Sequence, residues 1–230
     1  MASKVTVILI TLVYIFAFAF LVRADPTGPD SIVRGTNETW SGSTSGEMVN
    51  ISGGYIAKMN ITSTQQNSRW KAFLGNVVGK FTLNDGSGAT IYDWSSASVA
   101  GEVLASRNST SIDWSSIGCA STANMEAENT ALGHFGSDNI TATFNKTGGN
   151  YQIAGQAANN CPATNPYVNN NTQDTAFQEI VLSVGGDIVY AANINATATG
   201  YDGNTYDFQM IVPEGTAAGN TPYYLYVELD

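Results

Sequence analysis

Phe177-Gln178-Glu179-Ile180-Val181-Leu182-Ser183-Val184-Gly185-Gly186-Asp187-Ile188-Val189-Tyr190-Ala191-Ala192 sets two β-favouring runs on either side of a glycine pair. Val, Ile, Phe and Tyr suit a pleated, half-buried surface, and adjacent glycines supply the positive φ of a tight turn. Residues 177–183 and 187–192 are therefore predicted as strands joined at Gly185-Gly186.

The same signals recur outward from this pair. Tyr206, Phe208, Met210 and Val212 alternate after the Asp202-Gly203 turn, and Leu225, Val227 and Leu229 share one side of a closing strand at 223–229. Upstream, Phe73, Val77, Phe81 and Leu83 share one parity, and Asn84-Asp85-Gly86-Ser87-Gly88 turns the chain into a hairpin partner at 90–94. Further strands are predicted at 102–105, 140–144 and 151–154. Tyr55, Ala57, Met59 and Ile61 alternate with Lys58, Asn60 and Thr62, which predicts one more strand with a wet face. Beyond residue 22 no long stretch carries a helical period.

Short strands at this spacing predict an all-β chain with a single antiparallel β-sandwich, jelly-roll or immunoglobulin-like, over residues 47–230. An extended arm rich in Pro, Gly, Ser and Thr is expected at 25–46. Residues 1–24 read as a signal peptide or a retained hydrophobic helix. Residues 5–22 are apolar apart from Thr6, Thr11 and Tyr14, Lys4 precedes them, and Val22-Arg23-Ala24 offers a small-residue cleavage site. That run also reaches the lower length limit for a membrane span, so membrane contact is expected only through residues 5–22, if they are kept. A helix packed inside a filament is a third version, although only four residues precede the run.

Charge narrows the partners. All 19 acidic residues lie beyond Ala24, against 7 basic ones, so residues 25–230 carry a net charge of −12. Such a surface repels phosphate, and no nucleic acid is expected. Cys119 and Cys161, the two cysteines, predict one disulfide in an exported chain. With a single histidine they cannot form an ordinary zinc site, and no cofactor or metal is expected. Eight N-x-S/T sequons stand at Asn37, Asn50, Asn60, Asn108, Asn139, Asn145, Asn170 and Asn195. Chance would give about half as many among 22 Asn, given 44 Ser and Thr. They point to an extracellular or cell-surface glycoprotein with covalent N-glycans.

Candidate chemistry is sparse. Asp93-Trp94-Ser95-Ser96 recurs as Asp113-Trp114-Ser115-Ser116. As a glycosidase signature the two carboxylates would be acid and base and the tryptophans a sugar platform. As structure, each is a strand end with a buried Trp followed by a turn. His134 has no G-x-S-x-G elbow beside it and reads as an ordinary exposed histidine in a loop. The loops at Asp85 and Asp202 offer oxygen ligands, but turn chemistry explains both, and neither has EF-hand spacing.

Arg69-Trp70-Lys71-Ala72-Phe73-Leu74-Gly75-Asn76-Val77-Val78-Gly79, Ile91-Tyr92-Asp93-Trp94, Tyr201-Asp202-Gly203, Tyr206-Asp207-Phe208-Gln209-Met210-Ile211-Val212-Pro213-Glu214 and Tyr224-Leu225-Tyr226-Val227-Glu228 together resemble a group of secreted archaeal surface proteins. The general plan is similar to that of archaeal extracellular, pilin-like filament subunits. The resemblance implies joining through packed N-terminal helices or through donation of an N-terminal strand, for which Ser31, Ile32, Val33 and Arg34 are the candidate segment. Tyr224 and Tyr226 are candidates for a subunit contact on a half-exposed face. The expectation is a non-enzymatic, self-associating structural subunit. The alternatives are a glycan-binding adhesion module, with Trp40, Trp94 or Trp114 exposed on a concave face, and a glycoside hydrolase.

Overall fold

The computed structural model describes residues 25–42, 44–95, 99–108, 112–216 and 219–230. The hydrophobic run at 5–22 lies outside them. Among the described residues no helix is long and apolar enough to cross a membrane.

In chain order the strands are β1 (Trp70–Gly75), β2 (Lys80–Asn84), β3 (Thr90–Ser95), β4 (Gly101–Ser106), β5 (Gly118–Cys119), β6 (Lys146–Thr147), β7 (Asn150–Ile153), β8 (Gln156–Asn159) and β9 (Pro162–Thr164). They continue as β10 (Tyr167–Val168), β11 (Thr172–Gln173), β12 (Glu179–Val184), β13 (Asp187–Asn193), β14 (Ala198–Thr199), β15 (Thr205–Tyr206), β16 (Phe208–Pro213) and β17 (Tyr224–Leu229). The chain is mainly β, and its ladders are antiparallel.

The expected pair around Gly185-Gly186 forms the middle of a seven-stranded sheet of order β17-β4-β13-β12-β9-β6, with β5 also paired to β12. Both turn glycines have positive φ, 58° and 102°. Register sets Ala192 against Val103 and Tyr190 against Ala105, so period-2 side chains stack by face across β13 and β4. One face carries Val103, Ala105, Val181, Tyr190 and Ala192, with Met210 and Val212 of β16 and Met125 and Leu132 packed on it. The other carries Leu104, Ile180, Leu182, Val189 and Ala191, covered by Tyr151, Ile153, Ala158 and Ile117. Burial on both faces explains why 179–192 reads as near-continuous apolar runs rather than a strict alternation.

Gly101 allows β17 to lie close beside β4. Its φ is 123°, and a Cβ there would come within 2.1 Å of the Glu228 carbonyl oxygen. Any other residue would collide with the neighbouring backbone.

Cys119 and Cys161 form the expected disulfide, with Cα atoms 4.9 Å apart. It joins β5 to the residue just before β9. Those two short strands share one edge of β12: Thr164 and Ala163 face Glu179 and Ile180, while Cys119 and Gly118 face Leu182 and Ser183. Neither short strand makes more than two of these pairs, and the covalent tie holds them side by side.

Several expectations are corrected. Residues 122–132, read as non-helical, form α1 (Thr122–Leu132), and the strand expected at 140–144 is instead a single turn, α2 (Ile140–Thr143). The start of α1 is a capping box, in which the Ser121 side chain accepts from the Asn124 N–H and the Asn124 side chain accepts from the Ser121 N–H. Gly133 ends it at φ 73°. The helix has no clean apolar stripe because Glu128 and Asn129 sit on its buried side. Glu128 accepts two hydrogen bonds from Arg107 at 2.7 and 2.6 Å, and the Asn129 side chain accepts from the Ile140 N–H, tying α1 to α2. The strand expected at 55–62 is absent. That segment has no ladder partner, and its side chains are exposed. His134, expected to be exposed, is buried. Its Nε2 donates to the Glu214 carbonyl at 2.6 Å, while Trp70 packs edge-on at 5.8 Å.

A loop of this length predicts a disulfide contribution of about 4 kcal/mol. Replacing both Cys119 and Cys161 by Ser is expected to lower unfolding free energy by about that amount in chemical denaturation. Only a small part of the loss should appear if the tie is redundant.

Candidate functional site

The chain enters the sheet through a single bridge. Thr27 exchanges both backbone hydrogen bonds with Val227 on the outer edge of β17, at 3.0 and 2.8 Å, and Pro26 is buried beside it. Pro29 follows two residues later and has no N–H to continue a ladder. From residue 28 to 66 no strand or helix forms among the described residues. This stretch presents Ile32, Val33, Trp40, Met48, Val49, Ile51, Tyr55, Ile56, Met59 and Ile61 to solvent, with Val33 95 % and Ile56 92 % exposed. Single exposed apolar residues are ordinary, but a chain segment that buries none of ten is not. Ser31, Ile32, Val33 and Arg34 all lie in it and are exposed.

A second unburied element follows β1. β2 and β3 pair only with each other, and every residue of both is exposed. Asp85 makes the turn, its carboxylate accepting from the Ser87 and Ala89 N–H groups at 2.9 Å. Cross-strand register sets Phe81 against Trp94 and Leu83 against Tyr92, so all four side chains share one face. The Tyr92 and Trp94 rings meet edge to face at 4.9 Å. The shared parity of Phe81 and Leu83 is as expected, but it marks a face toward solvent, not the core.

Tyr224 and Tyr226 do lie on one face of β17. Tyr224 is exposed, whereas Tyr226 packs edge-on against Trp114 at 5.3 Å and donates to the Asn108 carbonyl at 3.0 Å. The sequons divide in a similar way. Asn37, Asn50, Asn60, Asn145 and Asn170 present exposed side chains, although Asn60 stands on a segment without a strand and not on the expected wet strand face. Asn108 donates to Asp187 at 2.8 Å, and Thr110 of that sequon lies outside the described residues. Asn139 caps α2 by accepting from the Ala142 N–H, and Asn195, although also exposed, donates to the Ala176 carbonyl at 3.1 Å.

The carboxylates weighed for chemistry have local structural partners. Asp93 pairs with Lys80 at 2.8 Å on the exposed hairpin. Asp113 caps a short 3-10 turn, Trp114–Ser116, and hydrogen bonds from Ser115 hold its carboxyl below the usual range. The two copies of the Asp-Trp-Ser-Ser repeat thus differ: Trp94 is exposed and Trp114 is half-buried. Asp202 accepts from Asn204 and Tyr206 within its own turn. Among the described residues no group of three or more His, Cys, Asp or Glu is placed to hold a metal ion.

Sequence reasoning missed the buried carboxylates. Glu102 and Glu228 sit opposite each other on β4 and β17, and Glu228 accepts from the Ala154 N–H at 3.0 and 2.8 Å, holding the β7–β8 turn against the sheet. A cleft of about 410 Å³ lies beside them, lined by Glu102, Asn150, Tyr151, Gln152, Asn159 and Asp230. The pair occupies one sheet face, side by side. Glu179 is fully buried and accepts from the Ile211 N–H at 2.9 Å, while its other oxygen has no partner.

No protein-family model matches this chain, and no curated protein or solved structure matches it.

Two carboxylates move stability with pH in opposite directions. Burial raises the Glu179 pKa well above its ordinary value. Its protonated form is favoured by folding, so that contribution is complete below about pH 4.5 and is lost as pH rises. For Glu214, burial pushes upward, but hydrogen bonds from Lys71 and Thr221 outweigh it and leave the pKa at about 2. That contribution is present above about pH 4.5 and is lost as pH falls toward 2. Glu179→Gln is expected to raise Tm above neutrality and to change it little in acid. Lys71→Met should lower Tm at neutrality and have less effect as acid protonates Glu214. Thermal melts across pH, followed by circular dichroism, read both.

Proposed function

We propose that this chain is a non-enzymatic, exported structural subunit that self-associates into an archaeal surface filament or coat. The observation that carries the reading is the arm at 28–66. It buries almost nothing in a single copy, yet holds ten large apolar side chains. Such a segment gains stability only by covering those side chains against another surface, and a second copy is the partner always at hand. The disulfide and the sequons fit an oxidising, extracellular setting. The body is read as sandwich-like, with the β1–β16 pair laid over the central sheet.

N-glycans are proposed at Asn37, Asn50, Asn60, Asn145 and Asn170, where the amide is exposed. Asn108, Asn139 and Asn195 already use their side chains within the fold. Glycans also fit a surface that has few charges. Glycopeptide mass spectrometry is expected to find the first group occupied before the second.

The Tyr92–Trp94 surface favours one alternative, a glycan-binding module, because exposed aromatic faces suit sugar rings. Electron microscopy of the mature protein and of cell surfaces separates the two. Ordered polymers are the expected result. A protein found only as free monomer, with glycan binding that is lost in Trp94→Ala, would replace the filament reading with the adhesion one.

A further inference from the structure

A single copy leaves two β-type elements incomplete. Residues 55–62 have the alternation of a strand but no ladder, and β2–β3 has a ladder but stops at two strands. We propose that residues 55–62 of one copy add as a third, antiparallel strand to the β3 edge of another copy. This rests on the self-association reading above and names the contact that carries it.

Each element supplies what the other lacks. A two-stranded hairpin in water is marginal, and three strands with an apolar face are self-supporting. Alternate residues along β3, Thr90–Ser95, turn their N–H and C=O groups to the open edge, and none of the six is proline. Addition in the matching phase places Tyr55, Ala57, Met59 and Ile61 on the face that already holds Phe81, Leu83, Tyr92 and Trp94. Ile56, Lys58, Asn60 and Thr62 then share the opposite face with Asp93. Main-chain hydrogen bonds would supply affinity, and side-chain alternation would supply register.

Charge selects the β3 edge over the β2 edge. Two copies with a net charge of −12 over residues 25–230 repel each other unless a cationic segment makes the contact. Residues 48–84 contain no acidic residue and hold Lys58, Arg69, Lys71 and Lys80, four of the seven basic residues beyond Ala24. The β2 edge belongs to that cationic stretch and carries Lys80, whereas β3 carries Asp93. Asp93 is already paired with Lys80 at 2.8 Å, so a donor bearing Lys58 shares that carboxylate on the β3 edge, whereas on the β2 edge it lies beside Lys80 itself. Asn60 would stay on the polar face, where a glycan meets solvent.

The test uses the full mature chain. Lys58→Pro/Met59→Pro puts a proline on each hydrogen-bonding parity of the donor, in a segment with no ladder to lose in the single copy, so Tm should not change. Tyr92→Ser/Trp94→Ser removes two side chains of the acceptor face. Each variant alone is expected to lose at least tenfold of the polymer by sedimentation. Mixed one to one, the first supplies an intact acceptor and the second an intact donor, so lengthening stops at dimers on size exclusion. Polymer of wild-type yield from the proline variant overturns the proposal while leaving the self-association reading standing. So does a mixture that gives no dimer, which is the result if residues 55–62 return to their own hairpin. A wild-type chain that never polymerises overturns the parent reading itself.

Discussion

The pairing of β12 with β13 is the constraint on which the rest of the body depends. Six register pairs run from Glu179–Ala192 to Val184–Asp187, and nearly every side chain along them is buried. Because both faces are covered, each strand fixes two layers at once. β16, α1 and α2 gather on one side, and the β7–β8 hairpin and the 3-10 turn at Trp114 gather on the other. Removing bulk there would open voids toward both layers, at a cost of about 2–5 kcal/mol for a large-to-Ala change.

Much of this body is legible from residue order. Gly185-Gly186, Asp202-Gly203 and Asn84 to Gly88 each mark a turn, and Leu225, Val227 and Leu229 do pack on one side of the central sheet. What escaped was decided by polar chemistry or by the absence of a partner. α1 carries Glu128 and Asn129 inward, held by Arg107 and the Ile140 N–H, so its periodicity is obscured although Ser121 and Gly133 bracket it. Ile140 to Phe144 looks like a strand by composition, yet the Asn139 cap closes a turn. Residues 55–62 follow the alternation rule apart from Ile56 and form no strand, since alternation specifies a face and not a neighbour to pair with.

Candidate functional features divide along the same line. The disulfide and the exposed asparagines follow from residue identity. The aromatic face of β2–β3 does not, because parity alone is silent on whether a face meets the core or water. His134 shows the same limit in reverse: it reads as a loop residue and proves to be a buried donor to the Glu214 carbonyl beneath Trp70. The arm and the hairpin are adjacent in sequence, both unburied, and separated only by β1, which is locked to β16. The arm is held at both ends, by the Thr27–Val227 bridge and by β1, and what lies between them is rich in exposed apolar side chains.

The disulfide has a mechanical consequence. Cys119 and Cys161 are 42 residues apart in sequence. Under tension an unfolded chain lengthens by about 3.3–3.6 Å per residue, so the bond withholds roughly 140 Å of extension. A chain pulled from its ends would yield first outside that loop, and β5 and β9 would remain joined. Stretching would thus be partial and the way back short.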